Sequence, residues 1–140
     1  MIQRKQTLWL LLATVAAVLT FLYPFSTGIE KVDNTTMERP TEIIAGEHLL
    51  LMLLTVASII ISTVSIFLFK NRGQQKMLCI IGLLIGLGIC FFYISLTLKL
   101  IKYVPALWAV LPFIVVISYF LAYRGIRSDE KLVKSLDKLR

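Results

Sequence analysis

Four uninterrupted apolar runs divide the chain: Leu8 to Phe25, Leu49 to Phe69, Met77 to Leu98 and Val104 to Tyr123. None contains an internal charge. Each is close to the about 20 residues that a helix rising about 1.5 Å per residue needs to cross hydrocarbon. A buried helix of a water-soluble protein keeps a polar face, whereas these runs are apolar all round, the pattern of a helix that faces lipid. The predicted fold is all-α: a four-helix transmembrane bundle forming a single integral membrane domain over residues 1–140, with both termini on one side.

Arg4 and Lys5 ahead of Leu8 to Leu12 also resemble the charged and apolar regions of a secretory signal peptide. The run exceeds the usual apolar length of about 7 to 15 residues, and no Ala-x-Ala site follows it, so retention as a signal anchor is expected. The segment 26–46 between the first two spans is too short to bury a core of its own. Within it, Ile29 to Val32 and Glu42 to Ile44 are predicted to pair as short extended pieces across a turn at Asp33 to Thr36. Asn34-Thr35-Thr36 matches a glycosylation sequon, a match without meaning in a bacterial protein.

Composition agrees with lipid as the solvent. Of the 140 residues 58% are hydrophobic and 16% charged, and the mean hydropathy is +0.84; too little polar surface is available to cover a domain in water. Charge then sets the orientation, because Lys and Arg beside the spans are retained in the cytoplasm. Eleven of the 15 basic residues lie in the N-terminus, the loop at 70–76 and the tail from Arg124. The other side has Lys31, Arg39, Lys99 and Lys102 together with five of the eight acids. Both termini are therefore expected in the cytoplasm, and the net charge of +7 is concentrated there. Trp9, Tyr23, Tyr103, Trp108, Tyr119 and Tyr123 fall near the span boundaries, where amphipathic rings favour the headgroup level.

Helices in lipid associate through small residues and interhelical hydrogen bonds. The first span has Ala13, Ala16, Ala17 and Thr20 on one face; the second has His48, Thr55, Ser58, Ser62 and Ser65; the third has Cys79, Gly82, Gly86, Cys90, Tyr93 and Thr97, with Gly82 and Gly86 in a Gly-x-x-x-Gly pair. Ala13, Ala17, Ser58, Ser62, Gly82 and Gly86 are the predicted packing positions, inside the bundle or, for the glycine pair, at a homodimer seam. The hydroxyl stripe is read as structural, since Ser and Thr can bond carbonyls three or four residues back. Cys79 and Cys90 lie about 16 Å apart along one helix, too far to bridge. Pro105 is predicted in the first turn of the last span and Pro112 deeper, where it would kink the helix.

Three groups of polar residues remain as candidates for function. Glu47, His48, Lys99 and Lys102 are expected at one level on the outer side, where they could pair or bind a proton or an anionic headgroup; solvated glutamate and snorkelling lysines are the simpler reading. Arg124, Arg127, Lys131, Lys134, Lys138 and Arg140 make a basic tail. From Ser128, as cap, the tail is predicted to form a separate short amphipathic helix with Leu132, Val133, Leu136 and Leu139 on its apolar arc, lying on anionic lipid or docking a protein partner. Nucleic acid is a poor explanation of the basic balance, which the sidedness rule already accounts for. No metal-ligand spacing, disulfide framework, phosphate-binding glycine loop or nucleophile motif is present, so neither a cofactor nor an enzymatic activity is expected.

The two ends carry a family resemblance. Met1-Ile2-Gln3-Arg4 with Gln6-Thr7-Leu8 leads directly into the first span. Leu121-Ala122, Arg124 and Ile126-Arg127 precede the charged run Asp129-Glu130-Lys131-Leu132-Val133-Lys134-Ser135-Leu136-Asp137-Lys138-Leu139-Arg140. With these ends the chain resembles the small four-span membrane proteins grouped as the domain of unknown function 4293 family, found mainly in Bacteroidetes-type bacteria. The resemblance implies an inner-membrane protein with cytoplasmic termini and implies no activity. The expected role is a non-enzymatic structural or partner-binding component. A small transporter using Glu47, His48 and the hydroxyl stripe is the alternative, weakened by the lack of an acid within any span.

Overall fold

The structure, a computed structural model, describes residues 3–31, 38–68 and 70–139. Four long helices account for most of them: α1 (Gln3–Leu19), α2 (Leu49–Phe67), α3 (Arg72–Thr97) and α4 (Leu111–Lys138). Each packs against two neighbours, in the cyclic order α1, α2, α3, α4. By length and apolar composition α2, α3 and the segment Leu107–Lys138 suffice to cross a membrane, while α1 offers the shorter apolar stretch Lys5–Leu19.

Most large apolar side chains face outward, and small residues fill much of the interior around a few large ones, Leu10, Leu51, Tyr93, Tyr119 and Ile126. Leu8, Leu84 and Phe91 are each more than 60% exposed, and leucine, isoleucine and phenylalanine cover the outside of every helix. Inside lie Ala13, Ala16 and Ala17 of α1, Thr55, Ser58, Ser62 and Ser65 of α2, Cys79, Gly82 and Gly86 of α3, and Ser118 and Ala122 of α4. Water would reward the opposite arrangement; small interior residues with apolar exteriors are what helices need to associate where lipid is the solvent, so the fold is compatible with a membrane protein.

The small faces are internal contacts. A Cβ on Gly82 would lie 2.4 Å from the Tyr119 ring, and one on Gly86 would lie 3.1 Å from Val116, so both glycines of the Gly-x-x-x-Gly pair make room for α4. Tyr119 reaches diagonally across the bundle, its hydroxyl donating to the Ser58 carbonyl at 2.6 Å. Thr14 donates to Ser62 at 2.7 Å, joining α1 to α2. Of the stripe hydroxyls, Thr55 donates to the Leu51 carbonyl at 2.8 Å and Ser62 to that of Ile59 at 2.9 Å, Ser58 donates to the Tyr119 hydroxyl at 3.3 Å, and that of Ser65 is buried with no partner among the described residues.

Three features correct the sequence expectation. The first run is helical only to Leu19; residues 20–25 turn toward a strand, as Tyr23 stacks on Trp108 with centroids 4.0 Å apart and Phe25 on Tyr93 at 4.6 Å. The fold is not purely α. β1 (Ser26–Lys31) pairs antiparallel with β2 (Glu38–Ile43), but not in the expected register, since Ile29 faces Pro40 and Glu42 faces Thr27; β1 also pairs with β3 (Lys102–Pro105), so the sheet order is β2-β1-β3. Val104 and Pro105 thus belong to an edge strand, where a missing N–H is tolerated, and a 3-10 turn at Leu107–Val110 precedes α4. Pro112 consequently falls in the first turn of α4, where it has no bond to break and produces no kink. Third, no separate tail helix exists: α4 continues unbroken through Ser128 to Lys138, so Ser128 is an interior residue and not a cap. The expected turn at 33–36, with its sequon, and Phe69 lie outside the described residues.

The sheet covers one end of the bundle. Ser26 bonds Thr97 at 2.9 Å, and because the Thr97 hydroxyl donates to the Tyr93 carbonyl, Ser26 is the donor. At Gly28 the chain passes so close to β3 that a Cβ would sit 2.6 Å from the Lys102 carbonyl oxygen. The start of α1, the turn between α2 and α3, and the far half of α4 gather at the opposite end.

Candidate functional site

At this opposite end the basic residues collect. Glu130 of α4 accepts from Lys76 of α3 and from Lys134 one turn further along α4, each at 2.9 Å. The Lys134 and Lys76 hydrogen bonds, reinforced by both positive charges, hold the Glu130 carboxyl down to about 2 from its ordinary 4.5. Tyr123, Arg127, Lys131 and Lys134 line with Lys76 and Glu130 an open cleft of about 380 Å³. Glu130 engages Lys76 and Lys134, while among the described residues Arg127 and Lys131 have no acidic partner, so the cleft carries a positive surplus suited to phosphate or carboxylate groups.

Beside Glu130 on α4, but facing α1, Asp129 is buried and accepts from the Gln6 amide nitrogen. Gly125 permits the approach, since a Cβ there would stand 3.0 Å from the Gln6 side chain. This pairing, which ties the two ends of the chain together, was absent from the sequence reading. Its signal was nonetheless present: Gln6 extends the face Leu10, Ala13, Ala17 by one turn, and Asp129 extends Val115, Ala122, Ile126.

Beyond this point α4 leaves its bundle neighbours. From Lys131 to Leu139 every residue is exposed, including Leu132, Val133, Leu136 and Leu139. The bundle brings Lys131 and Lys134 to the cleft with Arg127; Arg124 is exposed nearer α1, Lys138 lies at the exposed tip, and Arg140 is outside the described residues.

The outer candidates are not drawn together. Glu47 is exposed, His48 caps α2 without a side-chain bond, Lys99 is exposed and Lys102 belongs to β3. Among the described residues no hydrogen bond or ion pair joins them. Of the packing candidates, Ala13, Ala17, Ser58, Ser62, Gly82 and Gly86 all face the interior. Among the described residues no group of three or more metal-ligating side chains forms.

No curated protein and no solved structure matches the chain. Residues 2–139 match the family described as Domain of unknown function (DUF4293), a match that takes in the apolar helices, the sheet and both charged ends. The chain therefore belongs to the DUF4293 family.

Proposed function

We propose that this is a four-span protein of a bacterial inner membrane, with both termini cytoplasmic, that acts without catalysis by presenting its basic end to anionic lipid and to a protein partner. The outward placement of most large apolar side chains supports insertion. The convergence of α1, the α2–α3 turn and the far half of α4 at one end, with most of the basic residues, supports the orientation. The apolar stretch Lys5–Leu19 of α1 measures about 22 Å against about 30 Å of hydrocarbon, a mismatch that packing against α4 and local bilayer thinning accommodate.

The observation that carries the binding role is the free stretch of α4. Four exposed apolar residues, Leu132, Val133, Leu136 and Leu139, sit among Lys131, Lys134 and Lys138, on a stretch of helix that no other described residue covers. Lipid headgroups and an amphipathic partner helix are the chemistries suited to such a segment. The transport alternative gains no support from the stripe, whose Thr55 and Ser62 hydroxyls already donate within the bundle.

Reporter fusions at residues 36 and 74 and at the C-terminus test the topology; an external signal at the C-terminus overturns it. Crosslinking in intact membranes, with and without residues 131–140, tests the binding role. That truncation keeps the Gln6–Asp129 and Lys76–Glu130 contacts. A partner adduct present only in the full chain is expected, and one retained by the truncated chain overturns the assignment to the tail.

A further inference from the structure

A second cleft at the same end, of about 270 Å³, lies where α1 crosses α4 and is lined by Lys5, Gln6, Trp9, Arg124, Ser128 and Asp129 among others. Asp129 is 7% exposed. Its Oδ2 accepts from Gln6, but its Oδ1 is buried without a hydrogen-bond partner among the described residues. A carboxylate offers about four acceptor sites, and leaving a buried oxygen unused is unfavourable, so the cleft is short of a donor. Lys5 and Arg124 are exposed at its rim and form no ion pair with Asp129. Acceptor and cations thus remain separate, a dipolar arrangement within one small cleft.

The cleft is continuous with an apolar groove of about 640 Å³. Lys5 and Trp9 line both, and the groove runs on along the outer face of α1 past Leu8, Leu11 and Val15. Trp9 is a residue suited to the boundary between headgroup and hydrocarbon.

We propose that this compound cleft binds a glycerophospholipid with a primary ammonium headgroup. The ammonium donates to Asp129 Oδ1, the phosphate one ethylene link away meets Lys5 and Arg124, and an acyl chain follows the groove along α1. A glycerol headgroup supplies no cation for Asp129, and a trimethylated ammonium supplies no N–H. The neighbouring cleft at Glu130 differs, because Lys76 and Lys134 already occupy its carboxylate, and it accepts anionic groups without demanding an amine. The proposal rests on this end of the bundle meeting a lipid leaflet, and not on which leaflet that is.

Native mass spectrometry of the delipidated full chain in detergent, offered phosphatidylethanolamine, phosphatidylcholine and phosphatidylglycerol of the same acyl chains, tests it. Ethanolamine lipid is expected to be retained about tenfold over choline lipid, the scale of one charge-assisted hydrogen bond. Asp129→Asn, which keeps a carbonyl for Gln6, is expected to abolish the preference, and Arg124→Gln, at an exposed site, to weaken ethanolamine lipid binding. Arg39→Gln, exposed on β2 at the opposite end of the bundle, is expected to leave the preference intact. Equal retention of ethanolamine and choline lipids by the unaltered chain overturns the site whether or not the Asp129 variant folds, as does an undiminished preference in Asp129→Asn. Because detergent removes the question of sidedness, this result is separable from the reporter topology, and an inverted topology would only move the site to the other leaflet.

Discussion

The ring of Tyr119 lies directly against Gly82, so that the space a Cβ would occupy is taken by aromatic carbon 2.4 Å away. The same side chain ends in a hydroxyl that donates to Ser58, so one residue of α4 fixes its distance from α3 and its attachment to α2.

Replacing Gly82 by alanine is therefore expected to destabilise the bundle by about 1–3 kcal/mol, the cost of overpacking a close-packed contact. Gly88 of the same helix has nothing within 4 Å of its would-be Cβ and serves as the control, with no loss expected. Denaturation in mixed micelles compares the two; equal stability of both variants would show that the ring moves aside freely.

Tyr119→Phe keeps the ring and removes the donor to Ser58. Interhelical hydrogen bonds in membrane proteins contribute about 0.6 kcal/mol on average and up to about 1.7, and a loss within that range is expected in the same assay. The Gly82 and Tyr119 substitutions touch one contact, so their double variant should fall short of additivity.

At Gly28 even a methyl group meets the Lys102 carbonyl. Gly28→Ala is expected to detach β3 while leaving β2 paired. Amide exchange reads this directly: Ile101 and Ala106, whose N–H groups donate to Ile29 and Phe25, should exchange faster, and Phe25, which donates to Ile43, should not.

Glu130 predicts a pH dependence. Its folded value lies below its ordinary one, so the clamp to Lys134 and Lys76 contributes fully above about pH 4.5 and is lost as the pH falls toward 2. Limited proteolysis of the segment after Glu130 in detergent should accelerate across that window, and Glu130→Gln should remove the dependence. The pairs are partly exposed, so high salt at neutral pH should weaken the clamp as well.

The helices were legible in the sequence because span length and apolar continuity are properties of composition. The interior faces were legible too, because Gly82, Gly86 and the serines recur at helical spacing. Hydropathy failed where strand and span share residue types: Val104 and Pro105 are as apolar as a helix start, and their place beside β1 depends on Gly28, more than seventy positions earlier in the chain. The tail misled for a different reason. Ser128 with Asp129 and Glu130 has the composition of a helix beginning, but Asp129 is held by Gln6 and Glu130 by lysines, so these side chains join elements and start none.

The unbroken course of α4 has a mechanical meaning. Its 28 residues measure about 42 Å, against a hydrocarbon layer of about 30 Å, and it begins a single short turn after β3. Tail and sheet edge are thus the two arms of one stiff lever with the bundle as its fulcrum. No break within α4 separates the free end from the sheet side, so any flexing between tail and β3 falls to the 3-10 turn at Leu107–Val110.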